Sequence, residues 1–158
     1  MTEIGTGEQE YRDFDWFCVD DAGEVGHFTT AGYKRLPRSV ARSAEDLKLM
    51  AKFFESELGG RLGYRPDPDL AKKMLPPHCH SERYLHDFVA MADKGLYSFD
   101  IETYLKPNIC YFRVAMPTSP IKLPELPIHI QEVLKMTQLK GRLLRESARI
   151  LYEDTLSI

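Results

Sequence analysis

Apolar residues near the N-terminus form two short runs around a polar turn. Residues 14–19 and 25–30 are rich in aromatic and β-branched side chains, and the segment DDAGE at 20–24 separates them. An Asp followed two residues later by Gly favours a tight turn, because Gly readily adopts positive φ. Bulky side chains then lie on both faces of the predicted hairpin, so we expect both faces to be covered. A three-residue loop pairs Asp20 with Glu24, Val19 with Val25, Phe17 with His27 and Trp16 with Phe28.

Helical spacing of apolar residues predicts two well-defined helices in the middle of the chain. Ser43, with Asp46 three residues further on, resembles a capping box, and the apolar stripe that follows ends at a Gly-Gly pair. Ser81 begins a second helix, which Gly95 ends. Both segments place their apolar residues on one stripe, which is typical of helices that pack against a core.

Several further segments are predicted with less distinctive patterns. Residues 68–75 indicate a short helix with Pro at its first position, and residues 130–141 indicate another. The pattern over 142–156 favours a helix and leaves a terminal strand as the alternative. Residues 96–101 alternate like a strand, and the nearly continuous apolar run at 109–116 is typical of a central one. The short loop between these two runs indicates that they are neighbours.

Together these elements predict an α+β fold in which an antiparallel sheet built from hairpins, with about four or five strands, packs with about four helices. The prolines at 117–127 require an irregular surface crossing. No Gly/Ser-rich linker or repeat divides the chain, so we expect a single domain over residues 1–158. Residues 1–12 are acidic and polar, and we expect them to form a loosely ordered segment.

Composition places the chain among ordinary globular proteins. It has 158 residues, of which 43% are hydrophobic and 28% charged, and no apolar run is long enough to cross a bilayer. The polar N-terminus lacks the basic and apolar regions of a secretory signal. Cys18, Cys79 and Cys110 are odd in number and widely spaced, which does not indicate a disulfide framework. We therefore expect a cytoplasmic protein without a membrane partner and without a cofactor.

Charge is distributed unevenly along the sequence. The net charge is −3, but residues 1–25 contain eight acids and a single base. Such asymmetry can steer a charged partner toward the acidic end. The alternative is that the acidic segment folds against the basic surface of the same chain.

The hairpin contains residue types that metal and catalytic sites use, but its geometry argues against both uses. Adjacent Asp20 and Asp21 would point to opposite faces of a strand and could not hold one ion together. Cys18 and His27 would also lie on opposite faces, whereas a nucleophile must sit within hydrogen-bond reach of its base. We therefore interpret the hairpin as scaffold.

The segment PPHCHSERYLH offers a second candidate for metal chemistry. His78, Cys79, His80 and His86 are residue types that bind zinc, although structural zinc sites usually have two spaced ligand pairs. Three consecutive residues cannot all converge on one tetrahedral ion. A zinc site at His78, His80 and His86 therefore stays an alternative to surface histidines.

Other chemical signatures are weak. The sequence has no nucleophile elbow, P-loop, dinucleotide fingerprint or H-E-x-x-H motif. Asp100 and Glu102 would share one face of a strand, but such acids commonly lead into a loop. Arg142, Arg145 and Arg149 would share one face of a terminal helix, yet a pI near 6.0 argues against a nucleic-acid partner. We expect a protein that is not an enzyme.

The stretch DWFCVDDAGEVGHFTTAGYKRLP resembles a group of small bacterial proteins of mostly unassigned function. In these proteins an Asp-Trp strand precedes an Asp-x-Gly turn, a Phe-Thr-Thr-x-Gly strand end and a proline. The matching positions are Asp15, Trp16, Asp21, Gly23, Phe28, Thr29, Thr30, Gly32 and Pro37. The group is similar in style to the immunity proteins of bacterial polymorphic toxins, and the resemblance brings no catalytic residue with it.

The resemblance implies a binding protein that neutralises a cognate toxin by masking its surface. An acidic face over a cationic cleft would speed encounter and block substrate phosphates. The expected contacts with this partner are Glu8, Glu10, Asp13, Asp20, Asp21 and Glu24. Two alternatives remain, a small enzyme or zinc protein using residues 78–86 and a structural subunit that associates with copies of itself.

Overall fold

A computed structural model describes residues 1–32, 34–60, 63–70, 77, 81–102 and 109–158. The strands are β1 (Asp15–Asp20), β2 (Val25–Thr29), β3 (Tyr64–Pro66), β4 (Tyr97–Glu102), β5 (Cys110–Pro117), β6 (Gln138–Leu139) and β7 (Arg149–Leu151). The α-helices are α1 (Thr6–Tyr11), α2 (Arg38–Ala41), α3 (Ala44–Lys52), α4 (Glu82–Asp93), α5 (Ile128–Leu134) and α6 (Tyr152–Leu156). The fold is therefore α+β, as predicted.

The N-terminal hairpin has the predicted register. Trp16 lies opposite Phe28, Phe17 opposite His27, and Val19 opposite Val25. Gly23 has a φ of 74°, as its place in the turn requires. Every residue of β2 is buried, and all of β1 beyond its first residue is buried as well. The expectation that both hairpin faces are covered is confirmed.

The sheet is mixed, so the prediction of a purely antiparallel sheet is wrong. Its described part has seven strands in the order β3-β5-β4-β2-β1-β6, and β7 also pairs with β5. β4 is antiparallel to β5, but β2 is parallel to β4 and β1 is parallel to β6. In the described residues, the chain between β2 and β4 includes α2, α3 and α4, a connection long enough to bring β4 back in the same direction as β2.

A column of aromatic rings fills one side of the sheet. Trp16 stacks on Phe28 with ring centroids 4.3 Å apart, and Phe28 stacks on Phe99 at 4.6 Å. Tyr111 meets Phe28 edge to face at 5.1 Å. These four residues come from four adjacent strands, so the column ties the central part of the sheet together.

The opposite side of the sheet packs against helices. The ring of Phe17 stacks on Phe54, with centroids 4.7 Å apart, and Phe54 belongs to a π-helical turn (Phe53–Glu57) that continues α3. On α4, Phe88 reaches within 6.3 Å of the His27 ring, centroid to centroid. The side chain that faces Phe88 is therefore the polar His27.

The helix starts predicted at Ser43 and Ser81 are confirmed. The Ser43 hydroxyl accepts the backbone N–H of Asp46 at 3.1 Å, and Ser81 accepts that of Tyr84 at the same distance. The helix predicted over 68–75 lies largely outside the described residues. None of the helices in the described ranges is long and apolar enough to cross a membrane.

The helix predicted over 142–156 is wrong for most of its length. A 3₁₀ turn (Leu144–Glu146) precedes β7, and only Tyr152–Leu156 is helical. The helix predicted over 130–141 is also shorter, because α5 ends at Leu134 and β6 follows. In both segments backbone groups bond to the neighbouring sheet, and this tertiary pairing outweighs the local helical pattern.

Residues 1–12, which the composition predicts to be loosely ordered, contain α1 and, before it, a segment that is hydrogen-bonded to the rest of the chain. Ile4 is buried, and its backbone N–H donates to the carbonyl of Ala41 at 2.7 Å. The buried Gln9 side chain donates to the Ile4 carbonyl at 2.7 Å and accepts the N–H of Leu36 at 2.8 Å. These contacts hold α1 and the residues before it against α2 and the chain that leads into α2.

The lack of a side chain at Gly26 is required by the aromatic column. A Cβ at this position would lie 2.8 Å from a ring carbon of Phe28 and 3.1 Å from Cys18 Sγ. Because Phe28 is held by rings on two sides, Gly26→Ala should lower the free energy of unfolding by about 1–3 kcal/mol in urea denaturation. At Gly7 on α1 an added Cβ would lie in open space, so Gly7→Ala should leave the free energy of unfolding unchanged or raise it slightly. Equal stability of the two variants would contradict this prediction.

Candidate functional site

A groove of about 570 Å³ lies between the N-terminal residues and α3. Its apolar lining comes from Ile4, Phe14, Ala44, Leu47 and Ala51. Its charged lining comes from Glu8, Arg12, Asp13, Asp15, Lys48 and Glu55. Acids outnumber bases by four to two in this lining, and we call the site the acidic groove.

The start of β1 positions the inner acids of the groove. The backbone N–H of Phe14 donates to the Thr30 hydroxyl at 3.0 Å, and the N–H of Thr30 donates to the Phe14 carbonyl at 3.0 Å. The Thr29 hydroxyl donates to the Asp13 carboxylate at 2.9 Å. The end of β2 thereby fixes both the backbone and one carboxylate of the segment that lines the groove.

Behind the groove, three polar side chains form a line across β1, β2 and β4. His27 Nδ1 lies 2.7 Å from Ser98 Oγ, and His27 Nε2 lies 3.5 Å from Asp15 Oδ1. His27 is 2% exposed and Ser98 fully buried, whereas the Asp15 side chain keeps 37% of its surface. Burial acts to raise the pKa of Asp15, but the His27 imidazole and the Thr29 hydroxyl outweigh it and hold this pKa below its ordinary value.

Asp15, His27 and Ser98 are the residue types of a hydrolase triad, but their placement does not suit that chemistry. A nucleophilic serine must meet the carbonyl carbon of its substrate. Ser98 Oγ instead lies at the core end of the line, and the exposed end is the carboxylate. The arrangement therefore orients Asp15 toward the groove and does not present a nucleophile to it.

Asp100 lies on the same sheet face as His27 and Ser98, under α4. Burial raises the pKa of Asp100 to about 6, although the Tyr84 hydroxyl and the N–H of Ile101 both donate to its carboxylate. Glu102, two residues further on, bonds instead to Arg149, and its side chain is fully buried. The two acids thus have separate partners.

Two of the acids expected to contact a partner, Asp20 and Glu24, are buried in the fold. Asp20 and Glu24 are each 2% exposed. The Asp20 carboxylate accepts backbone N–H groups of the turn and of Leu144, while Glu24 lies 2.8 Å from Lys122 Nζ and 3.8 Å from an Arg145 nitrogen. Both carboxylates therefore stabilise the fold, because acids in this turn lie within reach of Leu144 and Arg145 in the C-terminal segment.

The other four expected contacts are exposed but do not form one cluster. Glu8 and Asp13 line the acidic groove, whereas Glu10 lies on α1 outside the lining. Asp21 lies in the hairpin turn, where its carboxylate accepts the N–H of Gly141 at 2.7 Å. The groove therefore unites only two of the six residues.

Sequence reasoning missed Asp15 and Glu55 as groove residues and Ser98 as a partner of His27. The predicted hairpin register already placed Asp15 and His27 on one face, so that signal was present. Ser98 depends on the parallel pairing of β2 with β4, which no local pattern encodes. Glu55 depends on the position of the π-helical turn across the groove from the N-terminal residues.

The zinc alternative receives no support from the described residues. His78, Cys79 and His80 lie outside them, and His86 is exposed with its ring nitrogen 3.1 Å from the neighbouring Asp87 carboxylate. Within the described ranges, no three His, Cys, Asp or Glu side chains are close enough to hold a metal ion. A site that includes His78 and His80 remains a prediction.

The three arginines near the C-terminus do not share one face, because the segment is not a continuous helix. Arg142 pairs with Asp154 at 2.7 Å, and Arg149 pairs with Glu102. Arg145 lies near Glu24 at the turn of the hairpin. Each of these bases is thus close to an acid of the same chain.

Comparison with known proteins yields no assignment. No family model matches the chain, and neither the curated proteins nor the solved structures contain a match. The resemblance to immunity-type proteins therefore stays a prediction.

The raised pKa of Asp100 predicts a specific pH dependence of stability. The folded state keeps this proton up to about pH 6, whereas the unfolded chain loses it near 3.8. The contribution is fully present below about pH 4 and is lost as the pH rises through 6. Relative to Asp100→Asn, the native protein should therefore lose about 2–3 kcal/mol of unfolding free energy between pH 4 and pH 7.

Urea denaturation of both proteins across this pH range measures the difference. Identical pH profiles would contradict the assignment of this titration to Asp100. His86→Gln, at an exposed position on α4, serves as the control and should follow the native profile.

Proposed function

We propose that the chain is a non-enzymatic cytoplasmic binding protein that uses the acidic groove to mask a cationic surface of a partner protein. A toxin domain with a basic cleft is the partner class that the sequence resemblance favours. The chain would then act as an immunity protein. It needs no reacting group for this role, only a stable scaffold and a complementary surface.

Three carboxylates of the acidic groove lack a Lys or Arg partner among the described residues. Within the part of the chain that the structure describes, Asp13, Asp15 and Glu55 form no ion pair with a Lys or Arg, although all three line one concave site. Elsewhere many acids already lie beside a base of the same chain, as Glu24 and Glu102 do. The groove therefore retains negative charge that can attract a cationic partner.

The shape and the lining of the groove both suit a protein partner. Apolar side chains from α3 lie beside the carboxylates, so a long basic side chain can pack its methylene groups while its charged end meets the acids. Long-range attraction from the acidic N-terminal region increases the association rate, an effect that salt reduces. The exposed acids Glu10 and Asp21 contribute to this attraction without lining the groove.

Neutralising the groove tests the proposal. The double variant Asp13→Asn/Glu55→Gln should weaken binding to the product of the neighbouring gene by about tenfold or more, because each buried charge contact between proteins is worth about 1.5 kcal/mol or more. The matched control is Glu10→Gln/Glu153→Gln, which removes the same charge outside the groove. The measurement is a dissociation constant by calorimetry at 0.15 M salt.

Protection of cells gives the functional measurement. Co-expression of the native chain should restore growth to cells that produce the neighbouring gene product, and the groove variant should restore it less well than the control variant. Equal protection and equal affinity of the two variants would overturn the groove as the binding site. Failure of the native chain to bind or protect would overturn the proposed function itself.

A further inference from the structure

We infer that the acidic groove is a binding site for a guanidinium group, and that Arg12 occupies part of this site in the free protein. The identification of the ligand as an arginine side chain of a partner protein rests on the proposed function. Binding of a guanidinium by the groove can be tested on the chain alone.

Arg12 already makes the contacts that a guanidinium ligand would make. Its guanidinium pairs with the Glu8 carboxylate one helical turn away, and its central carbon lies 5.2 Å from the centre of the Phe14 ring. Both Glu8 and Phe14 line the groove. The Arg12 side chain is nevertheless 64% exposed, so it is held at the mouth and can be displaced.

A second observation points to a ligand at the inner end of the groove. Among the described residues, His27 Nε2 is buried and has no hydrogen-bond partner, and it faces the Asp15 carboxylate at the ion-pair distance of 3.5 Å. Asp15 is thus an acid of the groove that has a buried imidazole behind it. A cation bound to the exposed side of Asp15 would draw the carboxylate into a fixed orientation, and His27 would report the change.

The lining favours guanidinium over ammonium. A guanidinium is planar and donates several N–H groups in fixed directions, so it can bond to carboxylates on different sides while its face rests on an aromatic ring. Asp13 and Asp15 supply carboxylates from β1 and the residues before it, Glu55 supplies one from the far wall, and Phe14 supplies the ring. A lysine ammonium would gain less from this arrangement, because it is a compact point charge.

The first experiment uses Nα-acetyl-arginine amide as the probe and ¹⁵N NMR as the measurement, at 0.15 M salt. We expect saturable binding in the millimolar range, with shifts of the Asp15 and Ala51 amides and of His27 Nε2. Nα-acetyl-lysine amide should bind at least about threefold more weakly, and Nα-acetyl-citrulline amide, which lacks the charge, should not bind. No saturable shift with the arginine probe, or equal shifts with the lysine probe, would overturn the inference.

Two variants test the assigned contacts. Asp15→Asn should weaken the arginine probe by about tenfold, whereas Glu10→Gln, with the same charge change on α1 outside the groove, should leave it unchanged. Arg12→Ala should tighten binding about three- to tenfold by removing the internal competitor. Arg38→Ala removes the same charge from an exposed position on α2 and should not tighten it. Equal effects within either pair would overturn the assignment.

The results separate this inference from the proposed function. Loss of probe binding in a protein that still binds its partner through Asp13 and Glu55 would overturn the guanidinium site alone. Probe binding by a chain that has no protein partner would leave the site in place and overturn the proposed function.

Discussion

Two buried charged side chains hold the C-terminal segment against the sheet, and much of the fold depends on them. Arg113 on β5 donates to the carbonyls of Leu144 and Arg145 at 2.8 Å and pairs with Asp67 at 2.7 Å. From the other side, the Asp20 carboxylate accepts the N–H of Leu144 at 2.8 Å. Removing the charge of Arg113 would break its buried ion pair with Asp67, a change that usually costs about 3–5 kcal/mol. The hairpin, β5 and the chain terminus are therefore linked as one unit.

The two faces of the sheet have different roles. On one face the rings of Trp16, Phe28 and Phe99 stack into a column that has no polar gap. On the other, Asp15 and His27 interrupt the apolar packing and reach the acidic groove. Because strand residues alternate in direction, each residue of β1 and β2 serves only one of these faces. The aromatic column thus stabilises the sheet that carries Asp15, His27 and Ser98, but it takes no part in the chemistry of these three side chains.

Sequence patterns predicted what short-range geometry determines. The hairpin register, the caps at Ser43 and Ser81 and the pairing of β4 with β5 all follow from turn residues, capping side chains and alternation. The parallel pairing of β2 with β4 and the strand at Arg149–Leu151 do not, because they depend on contacts between distant segments. The groove itself was not predicted: only Glu8 and Asp13 of its lining are among the expected contacts, since its far wall comes from a helix with no local signal of that contact.

The strands at the two margins of the sheet are all very short. β6 has two residues, while β3 and β7 have three each and share the other margin beside β5. Pro66 in β3 also lacks a backbone N–H. An incoming chain would find few free backbone groups in register along either margin, which restricts strand addition and the edge-to-edge association that leads to aggregation. Recognition of other molecules by this chain is thereby left to side chains, whose identity can change without altering the architecture.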